Sequence, residues 1–268
     1  MTAFPAWMPP MSAFESALPL VLLVAAVFAL GGFVKGVIGL GLPTITMGVL
    51  SIAMPPAQAA ALLVVPSLLT NVWQVGGRGF GALCLRLAPM LVGVCAGVWL
   101  GAGWLASSGP AASWASGGLG AALVVYAVLG LLHWRPAVRP RQEPWLGPLV
   151  GVATGVVTAA TGVFVIPAVP YVNALGLARD ELVRALGLTF LVATLALGSA
   201  LWGHGALPGE LAVASLLALV PALAGMALGQ VVRQRVAAEP FRRVFLVGLG
   251  TLGLYLAVHA AITLAGAR

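Results

Sequence analysis

Apolar positions in this chain do not alternate and do not repeat as narrow stripes. They run on as blocks of roughly 20 residues, the length that carries a helix across a hydrocarbon core of about 30 Å. Such blocks recur from Leu18 to Leu264, broken by short stretches where arginines, glycines and prolines collect. A β-barrel of the outer-membrane type would instead show short segments with every second position polar. The pattern therefore predicts an all-α polytopic membrane protein. Two blocks are interrupted from within, by glycines followed by a proline and a fresh apolar run. The first interruption is Gly36-Val37-Ile38-Gly39-Leu40-Gly41-Leu42-Pro43, and the second spans Thr158 to Pro167 with Gly162 at its centre.

These interruptions belong to two halves that can be superposed. Pro43 stands as far before Ala61 as Pro167 stands before Ala185. Further along, Pro89, Gly93 and Gly97 match Pro221, Gly225 and Gly229. The repeat is roughly 120 to 130 residues, and internal duplication of this kind is common among transporters. The halves are read as residues 17–134 and 145–268, after an N-terminal segment 1–16 and around a basic linker 135–144. Each half holds about five helical elements. The segments Thr44–Met54 and Ala168–Leu175 are too short to span, the first being about 16 Å of helix. They read as half-helices, one near the start of each repeat.

Five is an odd number, so the halves should enter the membrane from opposite sides as inverted repeats. Alternating the ten elements places Arg78, Arg86, Arg135, Arg139, Arg141, Arg179, Arg184, Arg233, Arg235, Arg242 and Arg243 on one face. Of the basic residues, only Lys35 and Arg268 fall elsewhere. By the positive-inside rule that face is cytoplasmic. Treating the short elements as loops would give eight spans and would split the arginines between faces. Trp104 and Trp114, and Trp134 and Trp145, flank loops as interfacial anchors should.

Composition agrees. The chain is 61% hydrophobic and 7% charged, where soluble domains carry about 25% charge. The formal charge of +7 is scattered over short loops without interleaved aromatics, which points away from nucleic acid. The start has no positively charged n-region and no cleavage site of the signal-peptide kind. Cys84 and Cys95 should share a helix about 16 Å apart, too far for a disulfide. His133, His204 and His259 make no metal spacing, and no nucleotide-binding loop or hydrolase motif occurs. No cofactor and no covalent chemistry are expected.

The chemistry that remains is electrostatic. Irregular backbone at membrane depth is tolerated where it is buried in protein or lines a cavity, and paired interruptions point to a transporter's binding site. Helix starts carry free N–H groups and partial positive charge, so two facing starts suit a small anion. Candidate contacts are Gly36, Gly39, Gly41, Pro43 and Thr44 at the first interruption, and Thr158, Thr161, Gly162 and Pro167 at the second, with Thr46 close by. Two plain glycine–proline kinks that aid packing are the alternative. Lys35 is the one basic residue beside an interruption, and an intramembrane charge is a functional candidate by default. It either neutralises an anion or snorkels to the interface. Asn71 and Gln74, one turn apart, either face the cavity or bond between helices. Ser67, Thr70, Thr189 and Thr194 are weaker candidates because hydroxyls often bond their own helix. The GxxxG pairs Gly93/Gly97 and Gly225/Gly229 read as packing surfaces, and Arg179-Asp180-Glu181 as a solvated turn.

The runs Gly32 to Pro43 and Gly155 to Pro167, with Met54 to Ala61 and Asp180 to Thr189, resemble the repeated glycine-rich signature of the TauE/SafE sulfite-exporter family. The likeness covers nearly the whole chain. It implies a carrier of the bacterial inner membrane for small sulfur-containing anions such as sulfite or organosulfonates. Leu40 and Leu42, and Val163 and Phe164, depart from the commoner triple-glycine form. The expected function is secondary transport of a small oxyanion by alternating access, with a passive anion channel or a non-transporting membrane partner as alternatives. The expected partners are that anion and the lipid bilayer, with a coupling ion and self-association left open. No acidic residue lies in a span interior to serve as a carboxylate proton relay.

Overall fold

A computed structural model describes residues 11–76, 80–105, 110–132, 137–235 and 237–266. Those residues form ten helices and no strand. They are α1 (Met11–Ile38), α2 (Leu42–Ala53), α3 (Pro56–Val75), α4 (Phe80–Leu100), α5 (Pro110–Leu131), α6 (Glu143–Thr161), α7 (Ala168–Ala174), α8 (Arg179–Gly203), α9 (Gly209–Arg233) and α10 (Ala238–Gly266). Eight are long and apolar enough to cross a membrane; α2 and α7 are not among them. The outward faces carry large apolar side chains such as Leu85, Trp99, Leu132, Trp202 and Val244, the surface of a protein whose solvent is lipid. It is a multi-pass membrane protein.

Boundaries moved where local chemistry outweighed hydropathy. The fifth helix begins at Pro110, a residue suited to a first helical turn. Arg179-Asp180-Glu181 was read as a turn and is instead the first turn of α8, where two carboxylates favour the positive end of the helix. Pro167 stands just before the second half-helix, α7, which has only seven residues. Arg78, His133, Trp134, Arg135 and Arg268 lie outside the described residues, as does the side chain of Arg179.

Glycines set the packing. α1 runs along α9, with Gly32 and Gly36 facing Ala222, Met226 and Gly229; a methyl at Gly36 would lie 2.3 Å from the Met226 carbonyl oxygen. α4 runs along α6 in the same manner, through Gly93 and Gly97 against Gly151 and Gly155. A methyl at Gly155 would lie 2.3 Å from the Val94 carbonyl. Contacts with backbone rather than with side-chain tips leave no room to adjust. Small residues at such a spacing let two backbones approach within lipid, where helices gain from packing rather than from the hydrophobic effect. The Gly93/Gly97 and Gly225/Gly229 pairs are thus packing surfaces. α1 lies against α9 and α6 against α4, while α5 packs on α10 and α3 on α8. α3 and α8 are the most enclosed spans and form the centre.

Proline 66 interrupts the hydrogen bonds of α3, because it has no N–H to offer Leu62. Ser215 of α9 repairs the gap. Its hydroxyl donates to the Leu62 carbonyl at 2.8 Å and accepts from the Val65 N–H at 3.2 Å. The centre of the bundle is thereby tied to α9 at mid-helix.

Candidate functional site

The first interruption is a tight reversal. The Gly39 N–H closes α1 on the Lys35 carbonyl at 2.8 Å, and the chain then turns through Gly39 (φ 82°) and Gly41 (φ 126°). Both values fall where side chains with a Cβ are strongly disfavoured. α2 starts immediately, with Pro43 in its first turn. The Thr44 hydroxyl donates to the Gly41 carbonyl at 2.9 Å, and the Ile45 N–H reaches the same atom at 2.9 Å. The N–H groups of Leu40 and Gly41 find no acceptor among the described residues. Thr46 is fully buried and its hydroxyl is unpartnered.

Lys35 does not snorkel. It is 3% exposed and turns inward to α3, donating to Thr70 Oγ1 at 3.0 Å and to Asn71 Oδ1. Thr70 passes its own proton to the Pro66 carbonyl at 2.6 Å. Asn71 Nδ2 donates to Ser67 Oγ at 3.2 Å, and Ser67 and Thr194 are joined at 3.0 Å. Because the Thr194 hydroxyl donates to the Phe190 carbonyl at 2.7 Å, the proton between Ser67 and Thr194 comes from Ser67. Every link from the ammonium across α3 to α8 therefore donates away from Lys35. That polarity suits a positive charge at its origin. No carboxylate pairs with Lys35 among the described residues. Removing an ammonium from water costs several kcal/mol even after relaxation, and neutral acceptors offset only part of it.

Gln74 sits one turn beyond Asn71. Its Nε2 donates to the Gly39 carbonyl at 2.9 Å and to the Val183 carbonyl at 3.1 Å. It straps the first interruption to the start of α8. Its Oε1 is buried and has no partner among the described residues.

The second interruption is longer and drier. Gly162 (φ 70°) ends α6, its N–H bonded to the Thr158 carbonyl at 2.8 Å. Val163, Phe164 and Val165 then run without helical structure, fully enclosed, to a cis Ile166–Pro167 peptide and α7. Phe164 packs on Phe190 with ring centroids 5.2 Å apart. The N–H groups of Phe164, Val165 and Ile166 have no acceptor among the described residues. Thr158 and Thr161 give their protons to the Thr154 and Val157 carbonyls, each at 2.7 Å. Thr161 Oγ1 also accepts from Val163 N–H at 3.2 Å. Thr189 bonds back to Ala185 at 2.8 Å. The two interruptions meet at Met47 of α2, whose Cε would lie 2.6 Å from a methyl placed on Gly162.

Lys35, Thr70, Asn71, Ser67, Thr194, Gln74 and Gly39 thus form one connected cluster. Gly36 belongs to the helix contact beside it. Thr158, Thr161 and Pro167 join no such cluster, and Thr44 and Pro43 shape the start of α2. Sequence reasoning missed Thr154, which is fully buried and bonded to the Val150 carbonyl at 2.8 Å. A signal was present: Gly32-Phe33-Val34-Lys35-Gly36 and Gly151-Val152-Ala153-Thr154-Gly155 share their glycine spacing. Thr154 therefore stands before Gly155 as Lys35 stands before Gly36. Ser215 gave no signal, since only the bundle brings it to Leu62.

The family model described as Sulfite exporter TauE/SafE matches residues 23–256. No curated protein and no solved structure gives a significant match to the chain. The match spans most of the ten-helix fold, and the chain belongs to the TauE/SafE family.

Proposed function

We propose that this TauE/SafE member is a secondary carrier for a small anion, a sulfur oxyanion or organosulfonate, bound where the first interruption meets α3. One observation carries the reading: Lys35 is enclosed and, among the described residues, is held by neutral acceptors with no carboxylate paired to it. A bound anion supplies the missing charge and accepts from the ammonium. The unpaired N–H groups of Leu40 and Gly41, Thr46, and those after Gly162 offer further donors. In this reading Gly36, Gly39, Gly41, Pro43 and Thr44 shape the wall, Lys35, Asn71 and Gln74 supply its polarity, and Thr158, Thr161, Gly162 and Pro167 complete the opposite side.

The exchanged packing of α1 on α9 and α6 on α4 supports two inverted repeats that rock about α3 and α8. Arg86 pairs with Glu143 through two bonds of 2.7 and 2.8 Å and also donates to the Leu175 carbonyl at 3.1 Å, gathering the ends of α4, α6 and α7. That basic end faces the cytoplasm under the positive-inside rule. There an open cleft of about 460 Å³ is lined by Asp180, Gln230, Arg233 and Gln234. At the other end a cleft of about 370 Å³ opens among Ser51, Ser113, Ser116, Tyr255 and His259. The two clefts offer entry routes for alternating access.

Purified protein in liposomes should move radiolabelled sulfite down its gradient and show accelerated exchange when unlabelled sulfite is placed opposite. Flux without counterflow would mean a channel. No flux of any small sulfur anion would overturn the carrier reading.

A further inference from the structure

The polar stripe of α3, Ser67, Thr70, Asn71 and Gln74, is satisfied within the protein at every side-chain atom but one. Gln74 Oε1 is buried without a donor. Its identity is fixed by its surroundings: Nε2 faces two carbonyl oxygens, Gly39 at 2.9 Å and Val183 at 3.1 Å. Turning the amide over would set oxygen against oxygen twice. The unpaired atom is therefore an acceptor. It lies one helical turn, about 5 Å along α3, from the Thr70–Asn71 pair that holds the Lys35 ammonium. On the α1 side the same step leads from Lys35 to Gly39. Among the described residues the site thus has opposite needs one turn apart, a cation with no carboxylate and an acceptor with no donor.

We infer that the anion taken here carries its own O–H or N–H donor, separated from the charged head by about one helical turn. This rests on the anion site proposed above and narrows its substrate class. A bare oxyanion or an alkyl sulfonate satisfies Lys35 and leaves Gln74 Oε1 unmet. A hydroxylated sulfonate or carboxylate of the same length meets both. Sites that hydrogen-bond a substrate hydroxyl reject the analogue lacking it, because a buried polar group is then left unpaired.

The test is calorimetric titration of the purified full-length chain with 2-hydroxyethanesulfonate and with 1-propanesulfonate, which differ by a hydroxyl in place of a methyl. The hydroxylated anion should bind about ten-fold tighter, the effect of one net hydrogen bond at a buried acceptor. Gln74→Met keeps length and apolarity but removes the acceptor, so the ratio should fall towards one; Thr251→Val, whose hydroxyl bonds the Val247 carbonyl on exposed α10, should leave it unchanged. Should Gln74→Met fail to fold, the wild-type ratio alone decides. Equal binding of the two sulfonates to wild-type protein overturns the donor requirement and leaves the anion site standing. A ratio that survives Gln74→Met overturns the assignment to Gln74. If neither sulfonate nor sulfite binds, the anion site falls, and this inference with it.

Discussion

The two interruptions use one device and reach different ends. The first turns within a few residues through two glycines of positive φ and starts a twelve-residue helix at once. The second runs α6 on past Gly155 to Thr161, turns at Gly162, and crosses the interior as an enclosed apolar strip before a seven-residue helix. At matching places stand Lys35 and Thr154. The lysine reaches across to α3, whereas the threonine bonds its own helix. The close glycine contacts recur at α1–α9 and α4–α6, whereas the buried charge occurs at one of them. Under the proposed repeat, each half needs its close contact to pack against the other, and the proposed anion needs a charge only once.

That contrast can be broken or sharpened by substituting equivalent positions. The largest effect belongs to the shared scaffold. Gly36→Leu and Gly155→Leu push a side chain into backbone atoms at 2.3 Å, and each should cost about 3 kcal/mol or more of stability. Thermal unfolding in detergent should show comparable losses for both; one tolerant position would mean that the two contacts are not equivalent. Next comes the unshared charge. Lys35→Met should weaken sulfite binding about 100-fold, as loss of a charged hydrogen-bonding partner does. Thr154→Val, in the matching place, should stay within about three-fold. Titration of both proteins checks this, and equal effects would erase the asymmetry.

A smaller change is expected along the network. Asn71→Leu takes one acceptor from the Lys35 ammonium and should weaken binding about ten-fold. Smallest are Thr158→Val and Thr161→Val, whose hydroxyls bond their own helix and should matter less than about three-fold in transport. A large loss at either threonine would show that its hydroxyl, and not only the backbone N–H groups after Gly162, donates to the anion.

Much of this was legible in the residues, and the rest was not for physical reasons. Helix number follows from the length of apolar runs, and the interruptions from glycine and proline at depth, both local properties. Lys35 stood out because an ionisable group is costly within a membrane. Which way it turns was undecidable in one dimension, since a lysine stem reaches the interface or a neighbouring helix equally well. The partners on α3 were recognisable as polar residues on a helical spacing, but their link through Ser67 to Thr194 depends on α3 packing against α8. Gly93 and Gly97 announced a close contact without naming α6 as the partner. Thr158 and Thr161 looked like ligands by composition and position; their protons are spent within α6. The second half-helix, read as Ala168–Leu175, is found at Ala168–Ala174, because its short apolar run after a proline is a local property.

The central claim is that Lys35 is a buried cation whose counter-ion is the transported anion. Calorimetric titration of sulfite into wild-type protein, Lys35→Met and Lys35→Arg tests it most directly. The account predicts clear binding to wild type, partial retention in Lys35→Arg and a loss of about 100-fold in Lys35→Met. Equal affinity in wild type and a folded Lys35→Met protein would contradict it.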